Sequence, residues 1–189
     1  MNKWIVAVII VVVIGGLYWW SRPPSYDPRT SDTDNFRGSG VEVVEFSDFE
    51  CPACQRAFPE VEEALTNISV KFVYKHFPLT QIHARAMVAA EASECAADQG
   101  KFWEYYERLF VSRKLAAEDF IAHAKVLGLD VDAFRVCVKS HAMQQRVLAD
   151  QQEGIGRGVR ATPTFFINGK KYEGVLAADK LRALIGASS

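Results

Sequence analysis

The sequence has no excess of either charge. Its 22 Lys and Arg stand against 23 Asp and Glu, for a formal net charge of -1, so nothing in it suggests a nucleic-acid partner. Cysteine is scarce, with four in 189 residues. Four-cysteine zinc sites usually repeat a C-x-x-C pair, but here Cys95 and Cys137 stand alone, which argues against structural zinc. His83, His123 and His141 show no metal-ligand spacing. The glycine-rich stretch Gly154-Ile155-Gly156-Arg157-Gly158 fails the dinucleotide fingerprint, because Val159 stands where the last glycine belongs and no strand precedes it; it reads as a flexible joint. With no metal or organic cofactor expected, the chemistry falls to the chain's own side chains.

The stretch from Glu45 to Cys54 supplies it. Val41, Val43, Val44 and Phe46 suit a buried strand, Ser47 to Glu50 break the pattern, and Pro52 falls where a first helical residue tolerates its missing N–H. Cys51 is therefore placed at a helix N-terminus, where unpaired N–H groups and the macrodipole favour a thiolate. Cys54, about one turn further in, faces the same side and is more buried. The pair divides the work: Cys51 exchanges disulfides with a partner and Cys54 resolves the mixed disulfide. A purely structural bridge across so short a loop would remove little chain entropy.

An uncharged Val/Ile-rich run from Trp4 to Trp20, preceded by Lys3, would span about 25 Å as a helix. Tyr18, Trp19 and Trp20 suit an interfacial aromatic belt, and no small-x-small cleavage site follows, so residues 1–20 read as a cytoplasmic N-terminus and an uncleaved signal-anchor transmembrane helix. The rest would then lie outside the cytoplasm, on a single-pass protein of the inner or cytoplasmic membrane. Residues 21–40, with Pro23, Pro24 and Pro28 and few apolar side chains, read as a flexible linker.

Residues 41–189 read as one α/β domain. The first helix continues through Ala57, Phe58, Val61, Ala64 and Leu65, with a kink expected at Pro59. Val70 to Phe77 reads as a second strand, parallel to the first across this helical crossover. From about residue 81 to 153 the period becomes helical: an Ala-rich helix from His83 to Gln99, an aromatic stripe of Phe102, Trp103, Tyr106, Leu109 and Phe110, a segment ending at Gly128, a helix capped by Asp130, and a last helix to Gly154. Asn168-Gly169 joins two further strands, and a helix closes the chain. Four cysteines allow three pairings; local geometry favours Cys51–Cys54 as the redox pair and Cys95–Cys137 as a structural bridge. Glu45 and Lys75 are expected to meet behind the cysteines, where a buried carboxylate could serve a relay that deprotonates Cys54. His76 is a weaker candidate.

The segments Phe46-Ser47-Asp48-Phe49-Glu50-Cys51-Pro52-Ala53-Cys54, Phe77-Pro78-Leu79, Gln99-Gly100-Lys101-Phe102-Trp103 and Gly158 to Gly169 together resemble the DsbA-like thiol-disulfide oxidoreductases of the thioredoxin superfamily. The resemblance covers about residues 41–185. It implies a thioredoxin fold with an inserted helical subdomain, with Thr162 and Pro163 in a cis-proline loop facing the cysteines, where neighbouring backbone groups stay free to pair with a substrate strand. Glu45 and Lys75 resemble the family's buried acid and lysine. The best-known oxidases carry Pro-His between their cysteines and this chain has Pro52-Ala53, so one source of thiolate stabilisation is missing and the expectation moves toward a weaker oxidant. The expected function is disulfide donation to thiol-containing exported proteins by a membrane-held monomer, reoxidised by a membrane quinone-linked partner. The alternatives are a reductase or isomerase on the same site, and a non-catalytic interaction module or metal chaperone.

Overall fold

The computed structural model describes residues 34–187. The expected transmembrane helix and most of the linker lie outside the described residues. Among the described residues, no helix is long and apolar enough to cross a membrane.

In chain order the elements are β1 (Asn35–Gly38), β2 (Val41–Ser47), α1 (Pro52–Leu65), β3 (Val70–His76), α2 (Ala86–Ala97), α3 (Phe102–Ser112), α4 (Ala117–Val126), α5 (Val131–Lys139), α6 (Gln144–Gly156), β4 (Thr164–Ile167), β5 (Lys170–Glu173) and α7 (Ala178–Gly186). The strands form a sheet of order β1-β3-β2-β4-β5. Its centre is the parallel pair β2 and β3, joined through α1 as expected, and the other pairings are antiparallel. This is an α/β thioredoxin fold with the helical insertion between β3 and β4.

The central strands are buried on both faces, which is why β2 and β3 read as nearly continuous apolar runs. Val43, Phe72, Tyr74, Phe165 and Ile167 belong to the main core, together with α1, the aromatic stripe of α3 and Leu181 of α7. Val44, Phe46, Val73, Phe77, Val159 and Phe166 form a second, smaller core. Here α6 approaches through Gly154, where a Cβ would come within 2.7–2.9 Å of the Phe77 and Phe46 rings. The glycine-rich stretch is thus a close contact and a helix end, not a flexible joint. Gly158, at φ +75°, donates its N–H to Ile155 and Val159 donates to Gly154, so the two bonds satisfy carbonyls at the end of α6.

The linker expectation also fails at its C-terminal end. Residues 35–38 form an edge strand on β3, because Arg37 pairs with Glu62 and stacks 4.7 Å over the Trp103 ring, while the Trp103 indole N–H donates to the Phe36 carbonyl. α1 runs unbroken through Pro59. α2 begins at Ala86, later than expected, since the preceding residues are held by Asp48 and Glu50. Cys95 and Cys137 form the expected disulfide, joining α2 to α5.

Candidate active site

The end of β2, the loop that follows it and the first turn of α1 place the two cysteines. Cys51 is the N-cap of α1 with Pro52 behind it, and its own N–H donates to the Asp48 carbonyl. Cys51 and Cys54 are free thiols, 6% and 0% exposed. The Thr162–Pro163 peptide is cis, and the Thr162 carbonyl accepts from Cys51 Sγ at 3.5 Å. The structure thus brings Cys51, Thr162 and Pro163 together from chain positions over a hundred residues apart, as the resemblance implied.

The two sulfurs differ in proton affinity. The Cys54 thiol, the Thr162 hydroxyl and the backbone N–H groups of Cys54 and Ala53 hold Cys51 down to about 5 against the opposing effect of burial. Burial pushes Cys54 well above the ordinary thiol range, helped by the neighbouring negative charges of Cys51 and Glu45. Cys51 is therefore a good attacking and leaving group at neutral pH, and Cys54 needs a base before it can act. Thiolate stabilisation survives the absence of the histidine because the helix N-terminus and the neighbouring thiol provide it.

Glu45 is buried on the Cys54 side of β2. Burial raises it to about 7, partly offset by the Ser47 hydroxyl, and its Oε2 has no hydrogen-bond partner. It therefore exchanges a proton near neutrality. Lys75 does not meet it. In the parallel register Glu45 lies opposite Tyr74, while Lys75 lies opposite Phe46, so the lysine points to the other face of the sheet. There it pairs with Asp34 at 2.5 Å, Asp150 at 3.0 Å and Glu153 at 3.1 Å. Burial alone would lower its proton affinity, but those three carboxylates more than offset it and keep the ammonium charged. The expected Glu45–Lys75 relay is corrected accordingly.

Asp48 is a site residue that the sequence reading passed over. It is buried, its Oδ1 accepts the Glu50 N–H, and its Oδ2 accepts the Leu79 N–H and contacts His83 Nδ1 at 2.8 Å. It fastens the cysteine loop to the segment after β3. The available signal was an Asp two residues before an N–H it could accept, a common turn device. His76 contacts Glu94 at 2.8 Å in the core. Among the described residues no group of His, Cys, Asp and Glu side chains could hold a metal ion.

The chain belongs to the thioredoxin family, whose sequence profile matches residues 37–187. Its fold is shared with the thiol-disulfide exchange protein alpha-DsbA2 from Wolbachia pipientis, at a TM-score of 0.76 and 20% identity over 86% of this chain and 91% of that one. A thioredoxin-like oxidoreductase from Silicibacter pomeroyi DSS-3 has a TM-score of 0.73 and 22% identity over 87% of this chain and 97% of that one. Among curated proteins, Na(+)/H(+) antiporter NhaA 1 of Salinispora arenicola is 39% identical over 163 residues, which is 84% of this chain and 25% of the relative. The chain thus spans about a quarter of that relative's length.

Proposed function

We propose that the protein is a membrane-tethered, extracytoplasmic thiol-disulfide oxidoreductase that donates the Cys51–Cys54 disulfide to thiol-bearing exported proteins. A substrate thiolate attacks Cys51 Sγ, the bond to Cys54 breaks, and Cys54 leaves as a thiolate that takes a proton from Glu45. A second substrate thiolate then attacks the substrate sulfur of the mixed disulfide and expels the Cys51 thiolate. The substrate's two thiols are oxidised to a disulfide and the protein's disulfide is reduced to a dithiol. A membrane quinone-linked partner restores the disulfide by accepting the two electrons.

The observation that carries this reading is the proton affinity of Cys51, held to about 5. A stabilised thiolate favours the reduced protein and makes its disulfide more oxidising, by ~30 mV for each 1.4 kcal/mol. The membrane tether is supported by the apolar run from Trp4 to Trp20. The deciding experiment is the redox potential of the full-length protein against glutathione. The expected value lies above about -150 mV, whereas a value near -250 mV would assign the same site to a reductase. Cys51→Ser is expected to abolish disulfide transfer to a reduced peptide, and transfer that survived it would move the activity elsewhere.

A further inference from the structure

Glu45 is 2% exposed, and an acid so enclosed needs a route by which its proton reaches water. A row of buried polar atoms without hydrogen-bond partners leads away from it: Glu45 Oε2, Ser47 Oγ and His76 Nδ1. Glu45 and Ser47 stand two residues apart on β2, so they point to the same face, about 6.6 Å apart along the strand. Ser47 lies directly opposite His76 in the parallel β2–β3 register, about 4.8 Å across the sheet, where paired residues share a face. The ring contacts agree: His76 sits 5.3 Å from the ring of Tyr74, the residue opposite Glu45, and 6.0 Å from that of Phe49. From its other ring nitrogen the line continues to the surface. His76 Nε2 contacts Glu94 Oε1 of α2 at 2.8 Å, Glu94 Oε2 contacts Arg146 Nε of α6 at 2.8 Å, and Arg146 reaches the exposed Asp98 at 3.9 Å. Tyr74 and Tyr106 also carry unpartnered hydroxyls, but burial raises both phenols well above their ordinary range and bars them from releasing a proton. Asp150 of α6 accepts the His76 backbone N–H, not the ring.

We propose that Ser47 and His76 form the route by which Glu45 exchanges its proton with solvent, with Glu94 and Arg146 as its outer end. The inference rests on the dithiol chemistry proposed above. Once Cys54 has taken the Glu45 proton, the Ser47 hydroxyl proton moves to the carboxylate and the His76 Nδ1 proton replaces it on the oxygen. The ring takes up a proton at Nε2 that enters past Glu94. Reoxidation runs these steps backwards: Glu45 takes the Cys54 proton, and one proton leaves through Ser47 and the ring. The hydroxyl and the imidazole therefore end the pair of steps as they began it. Both residues act through Glu45 and are positioning residues; neither forms a bond to sulfur.

The test labels glutamate carboxyls with carbon-13 in the oxidised full-length protein in detergent micelles. NMR follows the Glu45 resonance, assigned by its loss in Glu45→Gln, through its titration, and line shape at each variant's own midpoint gives the proton exchange rate. Ser47→Ala and His76→Phe are each expected to slow that exchange about 100-fold, the lower end of what a positioned proton donor contributes. A phenyl ring keeps the packing of His76 against Phe49, Tyr74 and Phe102. Ser47→Thr returns a hydroxyl and should return the rate. The double variant should be no slower than the slower single one, because the two residues act in series. An unchanged rate in either variant overturns the inference, as does a double variant slowed by the product of the two single effects. Ser47→Ala deletes one buried oxygen and decides the matter alone if His76→Phe does not fold. The titration needs no turnover, so absence of disulfide transfer in the wild-type protein would overturn the functional reading alone.

Discussion

Glu45 and Asp48 lie three residues apart, are both buried, and do different work. Both Asp48 oxygens are engaged, by the Glu50 and Leu79 N–H groups and the His83 ring, so it braces the loop. Glu45 keeps an oxygen unpartnered and titrates at about 7, against an ordinary 4.5. Between those two pH values the folded chain holds a proton that the unfolded chain has released. The associated stability is complete below 4.5 and is lost as pH rises through about 7. The loss amounts to about 3 kcal/mol at ~1.4 kcal/mol per pH unit. Glu45→Gln is expected to match the wild type near pH 4 and to exceed it by up to that amount near pH 8 in chemical denaturation; a parallel pH dependence in the two proteins would refute the assignment. That Glu45 sits behind the cysteines was legible in the sequence, because a carboxylate on an apolar strand just before a dithiol stands out. The position of Lys75 was not, since a one-residue offset between paired strands reverses the face and no composition records it.

At the scale of elements, the most readable were those whose signal is local. Pro52 announces the start of α1, Asn168-Gly169 has both residues at positive φ in the β4–β5 turn, and Asp130 accepts the N–H groups of Asp132 and Ala133 at the head of α5. β1 was missed because its hold is remote: four residues with Phe36 half out in solvent are kept in place by Trp103, Glu62 and Glu94. Gly154 was misread for a related reason, since a glycine that permits a close approach looks the same in sequence as one that permits motion. Gly154→Ala must displace the Phe77 and Phe46 rings and is expected to cost about 1–3 kcal/mol, seen as a lower Tm with the dithiol still reactive. Replacing Cys95 and Cys137 by Ala opens a loop of 42 residues. On the chain-entropy account this lowers stability by ~3–4 kcal/mol, again read from the melt.

The described domain is a sheet with a different charge arrangement on each face: a dithiol and the buried Glu45 carboxyl on one, and a lysine ringed by three carboxylates on the other. Its stability should depend on its redox state. In the reduced protein Cys51 gives up its proton above about 5, while an unfolded chain keeps it to about 9, so folding releases a proton across that interval and stability rises with pH. The disulfide form has no such ionisation. Denaturation midpoints of the reduced protein are expected to gain on those of the oxidised protein from pH 5 to pH 9, and a constant difference would contradict the Cys51 assignment. The direction of β1 has one more consequence. It runs antiparallel to β3, with Asn35 opposite Tyr74 and Asp34 held by Lys75, so the backbone enters the domain at the end of the sheet where β2 delivers the cysteines. An anchor ahead of Asp34 would grip the protein by its working end. If the proposed tether holds, a shorter segment ahead of Asp34 would draw the reactive sulfurs toward the lipid, and a longer one would widen the radius they can reach.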